Sequence, residues 1–349
     1  MAILDQKERR LLALLIVVFT PLSFLAYSAY KSFFPGNFLG FVGSLFVLRL
    51  TYNALLLPLF RLATRRPKVL SSYGSWAVVT GCTSGMGERF AHRLAAEGLN
   101  ILLVSRTQSK LDKIASDIKS ACVARGAKPV ETRTLAYDFG TGDEAYDKKF
   151  EAELNALLPT LSGGSVGVLV NNVGGSNDDA TLLHEISDAD IKQMLRVNND
   201  GTMRMTRALL PLMVKNRKGA IICVSSASCT HPTPLLAAYS ATKAFGNQLT
   251  RSLYYEYKEF GIDCLSVTPY YFVSEMFKRK DATFMAPFPD KIIDAALPLL
   301  GYEPEAYPYY FHWFMGNMFR SFPEPGYALL WVMKRSKARA DAKKAKKSN

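Results

Sequence analysis

The chain has no Cys-x-x-Cys spacing among its five cysteines, Cys82, Cys122, Cys223, Cys229 and Cys264, and their number is odd. That pattern argues against a zinc ribbon and against a disulfide framework, so no metal site is expected and the thiols read as reduced and mostly buried. No Asn-x-Ser/Thr sequon occurs in the 349 residues, which gives no sign of a glycosylated lumenal domain and favours a cytosolic face. Acids are the scarcer charge, 30 against 43 Lys and Arg, for a net charge of +13. The surplus is local: residues 334–347 hold eight basic side chains against Asp341 alone. It does not call for nucleic acid and reads as a solvated, mobile end with attraction for anionic lipid headgroups.

Charge is missing altogether from residues 11–30, a run long enough to cross a bilayer core as a helix, with a kink at Pro21. A cleaved signal peptide is the alternative, since Lys7, Arg9 and Arg10 precede the run and the small residues Ala26 and Ser28 end it. A second apolar stretch, residues 38–57, could also span, at a cost of roughly 2.5 to 3.5 kcal/mol for Arg49 unless it snorkels or is paired. Lys31 is the one basic residue between the stretches, whereas Arg61, Arg65, Arg66 and Lys68 follow the second. By the positive-inside rule both flanks are cytosolic, giving a membrane hairpin; a single span with the second stretch in the interface is the other arrangement.

From Trp76 onward, short apolar runs alternate with amphipathic segments, the signature of an α/β fold with a parallel sheet. The run Trp76-Ala-Val-Val-Thr80 leads into Gly81-Cys-Thr-Ser-Gly85-Met-Gly87 and then into apolar Phe90, Ala91, Leu94 and Ala95 at helical spacing. Strand, glycine turn and helix together let a pyrophosphate approach the backbone amides from Gly81 through Ser84, Gly85, Met86 and Gly87 and meet a helix N-terminus. The next strand ends at Arg106, where an NAD-binding unit carries an acid; an arginine there pairs with a 2′-phosphate and favours NADPH. A third strand from Val130 ends near Asp138, which can hydrogen-bond an adenine amino group. A fourth, residues 166–170, ends in Asn171-Asn172-Val-Gly174, where Asn172 can support the adenosine side; each of these polar residues also suits a cap or turn.

Residues 188–216 have helical spacing interrupted by Gly201 and Pro211, and they carry Asn198. The strand through residues 220–224 delivers Ser225 and Ser226, and a helix over residues 239–260 opens with Tyr239-Ser-Ala-Thr-Lys243. On a helix the phenol and the ammonium share one face, and a nearby cation lowers a phenol pKa from about 10, fitting it for acid or base work.

With Thr80-Gly-x-x-x-Gly-x-Gly87, Asn171-Asn-x-Gly174, Asn198, Ser226 and Tyr239-x-x-x-Lys243 in this order, residues 75–275 resemble the short-chain dehydrogenase/reductase family. Within it, Pro232-Thr-Pro-Leu-Leu236, Pro269-Tyr270, His312-x-x-Met-Gly316 and the lysine-rich end are similar to the membrane-bound 3-oxoacyl-CoA reductase and 17-beta-hydroxysteroid dehydrogenase group. The resemblance implies a Rossmann-type doubly wound parallel sheet and NADPH or NADP as cofactor. It implies a proton from Tyr239, a hydrogen bond from Ser226 to the substrate carbonyl, and a Lys243 that lowers the tyrosine pKa and holds the ribose. Asn198 would seat a water relaying protons to the lysine, and Ser274 would touch the carboxamide. Ser226 is chosen over Ser225 on the family's thirteen-residue spacing to the tyrosine. His231 is expected to be structural.

The implied activity is reduction of long-chain 3-oxoacyl-CoA in fatty-acid elongation, with a 17-beta-ketosteroid dehydrogenase or a nucleotide-binding scaffold as rivals. Residues 307–331 are strongly aromatic but broken by Pro308, Pro323 and Pro325, and read as an interfacial lid beside the site or a piece of core. Lys346-Lys-Ser-Asn349 resembles a dilysine retrieval signal. The expected organisation is a membrane anchor over residues 1–70, a catalytic domain over 71–280, a lid over 281–333 and a basic tail over 334–349. The expected setting is the endoplasmic reticulum membrane, facing the cytosol, with membrane lipid, elongation enzymes and a second copy in a homodimer as partners.

Overall fold

Alternation of side chains along each central strand sorts the apolar residues into two cores. Ala77 and Val79 of β1 (Trp76–Thr80) join one, and Trp76 and Val78 the other. Ile101 and Leu103 of β2 (Asn100–Ser105) are separated from Leu102 and Val104 in the same way. A strand apolar on both faces needs cover on both, which is why such sequences build parallel sheets between helix layers.

The protein is described by a computed structural model covering residues 67–177, 179–274, 281–321 and 325–348, with Gly43, Leu48 and Tyr52 besides. It divides into two units, Met1–Arg66 and Pro67–Asn349. In the first, the apolar stretches at residues 11–30 and 38–57 lie outside the described residues, apart from those three positions. Among the described residues no helix is long and apolar enough to cross a membrane.

The second unit holds a seven-stranded sheet of order β3-β2-β1-β4-β5-β6-β7, every neighbour pair parallel. Beyond β1 and β2 its strands are β3 (Thr132–Ala136), β4 (Val166–Asn171), β5 (Gly219–Val224), β6 (Ile262–Val267) and β7 (Glu305–Ala306). The third strand is shorter than the sequence reading, although Tyr137 N still donates to Ser105 O at 2.9 Å. Helices α1 (Gly85–Ala96) and α2 (Gln108–Ala124) cover one face, burying Phe90, Leu94, Leu111 and Ile118. The opposite face is covered by α3 (Glu144–Leu157), α4 (Asp188–Leu195), α5 (Gly201–Asn216) and α6 (Ala237–Glu256), with Phe150, Leu154, Met205 and Leu253 in its core. Further along come α7 (Pro289–Ala296), whose Ile292 and Ile293 join the first core, α8 (Tyr310–Ser321) and α9 (Gly326–Ser348).

Two sequence expectations change. Gly201 and Pro211 do not interrupt the helical segment: α4 runs through a π-helical turn, Arg196–Asp200, directly into α5, with Pro211 inside it. The wide turn absorbs the irregularity where glycine was read as a break, and Gly201 lets the ring of Phe139 pack within 2.8 Å of the place a Cβ would take. The basic end is no loose tail either, because α9 is continuous over 23 residues and buries Met333. The sheet's switch point lies between β1 and β4, and the crevice that opens there at the carboxyl ends of the strands carries the site.

Candidate active site

The glycine turn is assembled by one threonine and one asparagine. Thr80 at the end of β1 accepts from the backbone N–H groups of Asn172 (3.0 Å) and Val173 (3.1 Å) through its hydroxyl, locking the end of β4 beside β1. Asn172 Nδ2 donates to the carbonyls of Thr80 (3.1 Å) and Gly81 (2.9 Å). Gly81 and Gly85 take φ of +61° and +59°, a region costly for other residues. A Cβ on Gly87 would stand 2.3 Å from both Asn172 Nδ2 and Gly81 O, so this glycine serves close packing of α1 rather than the crevice wall.

Gly81, Ser84, Gly85 and Met86 line a crevice of about 860 Å3. Arg106, exposed at the end of β2, lines it too, as do Asp138, Asn172, Ser226, Tyr239, Lys243 and Ser274. The structure thus gathers most of the sequence-predicted residues in one place. Asp138 is fixed by its own loop, with Gly140 N donating to Oδ1 at 2.9 Å.

Besides Gly87, two predicted residues stand behind the wall. Asn171 turns its buried side chain away from the crevice, Nδ2 donating to Thr206 Oγ1 at 2.9 Å, because the residue after an outward-facing strand position points to the opposite layer. Asn198, buried in the π-helical turn, clasps Gly175: Oδ1 accepts from its N–H at 2.7 Å and Nδ2 donates to its carbonyl at 2.9 Å. The same Nδ2 lies 2.7 Å from Thr242 Oγ1 on α6, so Asn198 ties the loop after β4 to the helix that carries the phenol and the ammonium.

Ser225 and Ser226 separate cleanly. Ser225 is buried, and its hydroxyl donates to Lys243 O at 2.8 Å, which docks α6 on the end of β5. Ser226 opens into the crevice, 2.9 Å from Ser228 Oγ, and hydrogen-bonds the Tyr239 phenol. The spacing argument for Ser226 therefore agrees with where the two hydroxyls point.

The electrostatics differ from expectation. Burial pushes the Tyr239 phenol up to about 12, and the Ser226 hydrogen bond offsets only part of that. Lys243, with its own pKa pulled down by burial, directs Nζ to Val224 O at 3.0 Å and sits 5.9 Å from the centre of the tyrosine ring. The ammonium is thus engaged elsewhere, and desolvation of the phenol dominates. At neutral pH Tyr239 is a protonated acid held against a serine hydroxyl.

The wall opposite the glycine turn is aromatic. Tyr270 and Phe272 line it, and Tyr270 packs on Tyr307, ring centres 6.0 Å apart. His231 is structural, as expected from its setting: Nε2 lies 3.2 Å from the Tyr270 hydroxyl, and burial lowers its pKa. His312 is fully buried on α8, and Nε2 faces the carbonyls of Tyr271 (3.1 Å) and Met285 (3.4 Å).

The order of these groups along the sheet, from glycine turn to Tyr239 and Lys243, coincides with a family pattern. A family model described as short chain dehydrogenase matches residues 75–284. The chain belongs to this family. Very-long-chain 3-oxoacyl-CoA reductase of Bos taurus is 39% identical over 252 residues, 72% of this chain and 76% of the relative. The Homo sapiens protein of the same name is 36% identical over 278 residues, 79% of this chain and 84% of its own. A short-chain dehydrogenase from Sphingobium yanoikuyae, solved in complex with NADPH, shares the fold with a TM-score of 0.55 and 24% identity, over 65% of this chain and 84% of its own.

Sequence reasoning missed Lys110, which lines the crevice together with Arg106. Its signal was its place in the first turn of the helix that follows Arg106, one helical repeat further on. Lys337 and Asp341 also reach the crevice, and nothing in a basic tail read as solvated pointed to them.

Proposed function

We propose that the chain is an NADPH-dependent reductase that converts long-chain 3-oxoacyl-CoA to 3-hydroxyacyl-CoA in fatty-acid elongation. The observation that carries this reading is the crevice in which Tyr239, Ser226 and Lys243 face a glycine turn, in a chain 36–39% identical to reductases so named. The residues present fit the dinucleotide. A Cβ on Gly81 would stand 2.8 Å from Val173 Cα, so the turn leaves backbone rather than side chain toward a pyrophosphate. Arg106 and Lys110 would hold a 2′-phosphate, Asp138 the adenine amino group, Lys243 the ribose hydroxyls and Ser274 the carboxamide.

Bound there, NADPH supplies the hydride. Ser226 donates a hydrogen bond to the substrate carbonyl oxygen and polarises it. Tyr239 gives its phenolic proton to that oxygen as negative charge develops; burial keeps the proton on the phenol until then. Asn198 positions Lys243 by clasping Gly175 and Thr242, and we assign it the seat of the water that returns protons to the lysine.

We place the membrane anchor, expected over residues 1–70, within residues 1–66 in the endoplasmic reticulum membrane, since Lys68 and Leu70 belong to the catalytic unit, and we place that unit in the cytosol. Supporting this are the exposed Phe284, Met285, Phe288, Tyr310 and Phe314 near the aromatic wall, side chains suited to a lipid interface. Protease treatment of sealed microsomes should digest residues 67–349; a protected catalytic unit would overturn the orientation.

The deciding experiment offers microsomes bearing the chain 3-oxoacyl-CoA of increasing length and 17-ketosteroids, and follows NADPH oxidation. Turnover of the thioesters, lost by about 10²–10⁴-fold in Tyr239→Phe, is the expected result. Turnover of the steroids alone would move the assignment to a steroid dehydrogenase, and turnover of neither would leave a nucleotide-binding scaffold.

A further inference from the structure

Helix α9 brings the basic end of the chain to the mouth of the crevice. Met333, Lys337 and Asp341 follow at intervals of four and therefore share one helix face. Met333 is buried, while Lys337 and Asp341 both line the crevice. Lys337 Nζ lies 2.8 Å from Glu185 Oε2, on the short 3-10 turn Leu183–Glu185 before α4. Glu185 lines the crevice as well, and its carboxylate accepts from Leu182 N at 3.1 Å, which fixes the acceptor. The helix is thus docked along the rim through a chosen face, with Lys334 and Arg335 exposed beside it.

This contact lies on the wall that includes Thr181, Glu185, Ile186 and Asp190, and in the proposed function the cofactor's 2′-phosphate already has Arg106 after β2 and Lys110 in the first turn of α2. A CoA thioester whose 3-oxo group reaches Tyr239 must leave its phosphate-bearing tail at the mouth. A rim ammonium is a fitting partner for such a group as a charge-assisted hydrogen-bond donor.

We propose that Lys337 is a substrate-positioning residue that binds a phosphate of the CoA thioester at the crevice mouth. Glu185 orients the ammonium until the thioester arrives and then yields it to the phosphate. The proposal rests on the 3-oxoacyl-CoA reading above. It assigns to the C-terminal helix a part in discriminating a CoA thioester from a shorter thioester with the same acyl group.

The test uses the full-length chain and one 3-oxoacyl group presented in two ways, as the CoA thioester and as the phosphate-free N-acetylcysteamine thioester. The readout is the ratio of kcat/KM for the two substrates, with the KM for NADPH measured alongside. Lys337→Ala should lower the ratio about tenfold by raising the KM for the CoA thioester, Lys337→Arg should restore it, and Glu185→Gln should raise it. The NADPH KM should stay constant. A ratio unchanged in Lys337→Ala overturns the proposal while leaving the reductase reading intact. A rise in the NADPH KM matching that for the CoA thioester also overturns it, by giving the lysine to the cofactor's phosphates. A wild-type chain that reduces neither thioester overturns the reductase reading, and the proposal with it.

Discussion

Under the proposed function, Arg106 is the side chain that would choose between two cofactors that differ by a phosphate. It is exposed on the crevice rim, so its charge is available to the 2′-phosphate without a burial cost. Arg106→Asp should raise the Kd for NADPH by at least about tenfold and leave that for NADH nearly unchanged, as read by fluorescence titration; equal losses would show a merely structural arginine. Tyr239 makes a second prediction. With its phenol raised to about 12, the cofactor-free protein and Tyr239→Phe should develop the same phenolate absorbance up to about pH 10. A difference band titrating near neutrality would mean that Lys243 governs the phenol after all. The Tyr-x-x-x-Lys spacing was legible in the sequence because helix geometry fixes it. The direction of the pKa shift was not, because it depends on burial by residues distant in the chain. Asn171 and Gly87 belong to the family motif, but their side-chain or Cβ directions come from strand parity and from packing of α1, which the motif string does not carry.

Among the elements, α8 is held to the substrate wall by one imidazole. Both partners of His312 Nε2 are carbonyl oxygens, so that nitrogen carries the proton and Nδ1 is the unprotonated one. Burial lowers the His312 pKa to about 4 from an ordinary value near 6.5. The folded state therefore prefers the neutral ring. Its contribution is complete above about pH 6.5 and is lost as pH falls from there through about 4, a swing on the order of 3 kcal/mol. Urea denaturation at a series of pH values should show this slope in the wild type and its loss in His312→Phe; parallel curves would remove the imidazole from the account. The sequence showed an aromatic segment broken by prolines but gave no view of this clamp, whose acceptors lie 41 and 27 residues away on the backbone. The continuous passage from α4 into α5 was hidden for a different reason: a π-helical turn tolerates the glycine that local propensity treats as a stop.

At the scale of the molecule, the sheet was the most legible part, because short, continuously apolar runs separated by amphipathic segments permit little but a doubly covered parallel sheet. Less legible was how the chain is fastened where it enters the catalytic unit. Asp263, buried at the start of β6, receives Lys68 Nζ at 2.7 Å, Lys258 Nζ at 2.8 Å and the Tyr73 hydroxyl at 2.5 Å. Burial alone would raise the Asp263 pKa; hydrogen bonds from Lys258, Lys68 and Tyr73 outweigh it and hold the carboxyl below its usual range. Its stabilisation is present above the unfolded carboxyl pKa and is lost as pH falls through the lower folded value. Asp263→Ala should cost about 2–3 kcal/mol in a denaturant titration at neutral pH, since two lysines and a buried hydroxyl lose their partner. Lys68→Met in that background should then cost almost nothing more.

The same strand ends at the crevice, where Pro269 lies just beyond Val267. A six-residue strand is about 20 Å long, so the mooring at Asp263 and the crevice beyond Val267 lie at opposite ends of one stiff rod. Force that enters at Asp263 and runs along that rod also runs parallel to β5, its parallel neighbour. It loads the six register pairs between β5 and β6 in shear, all at once, instead of prising the crevice open one bond at a time.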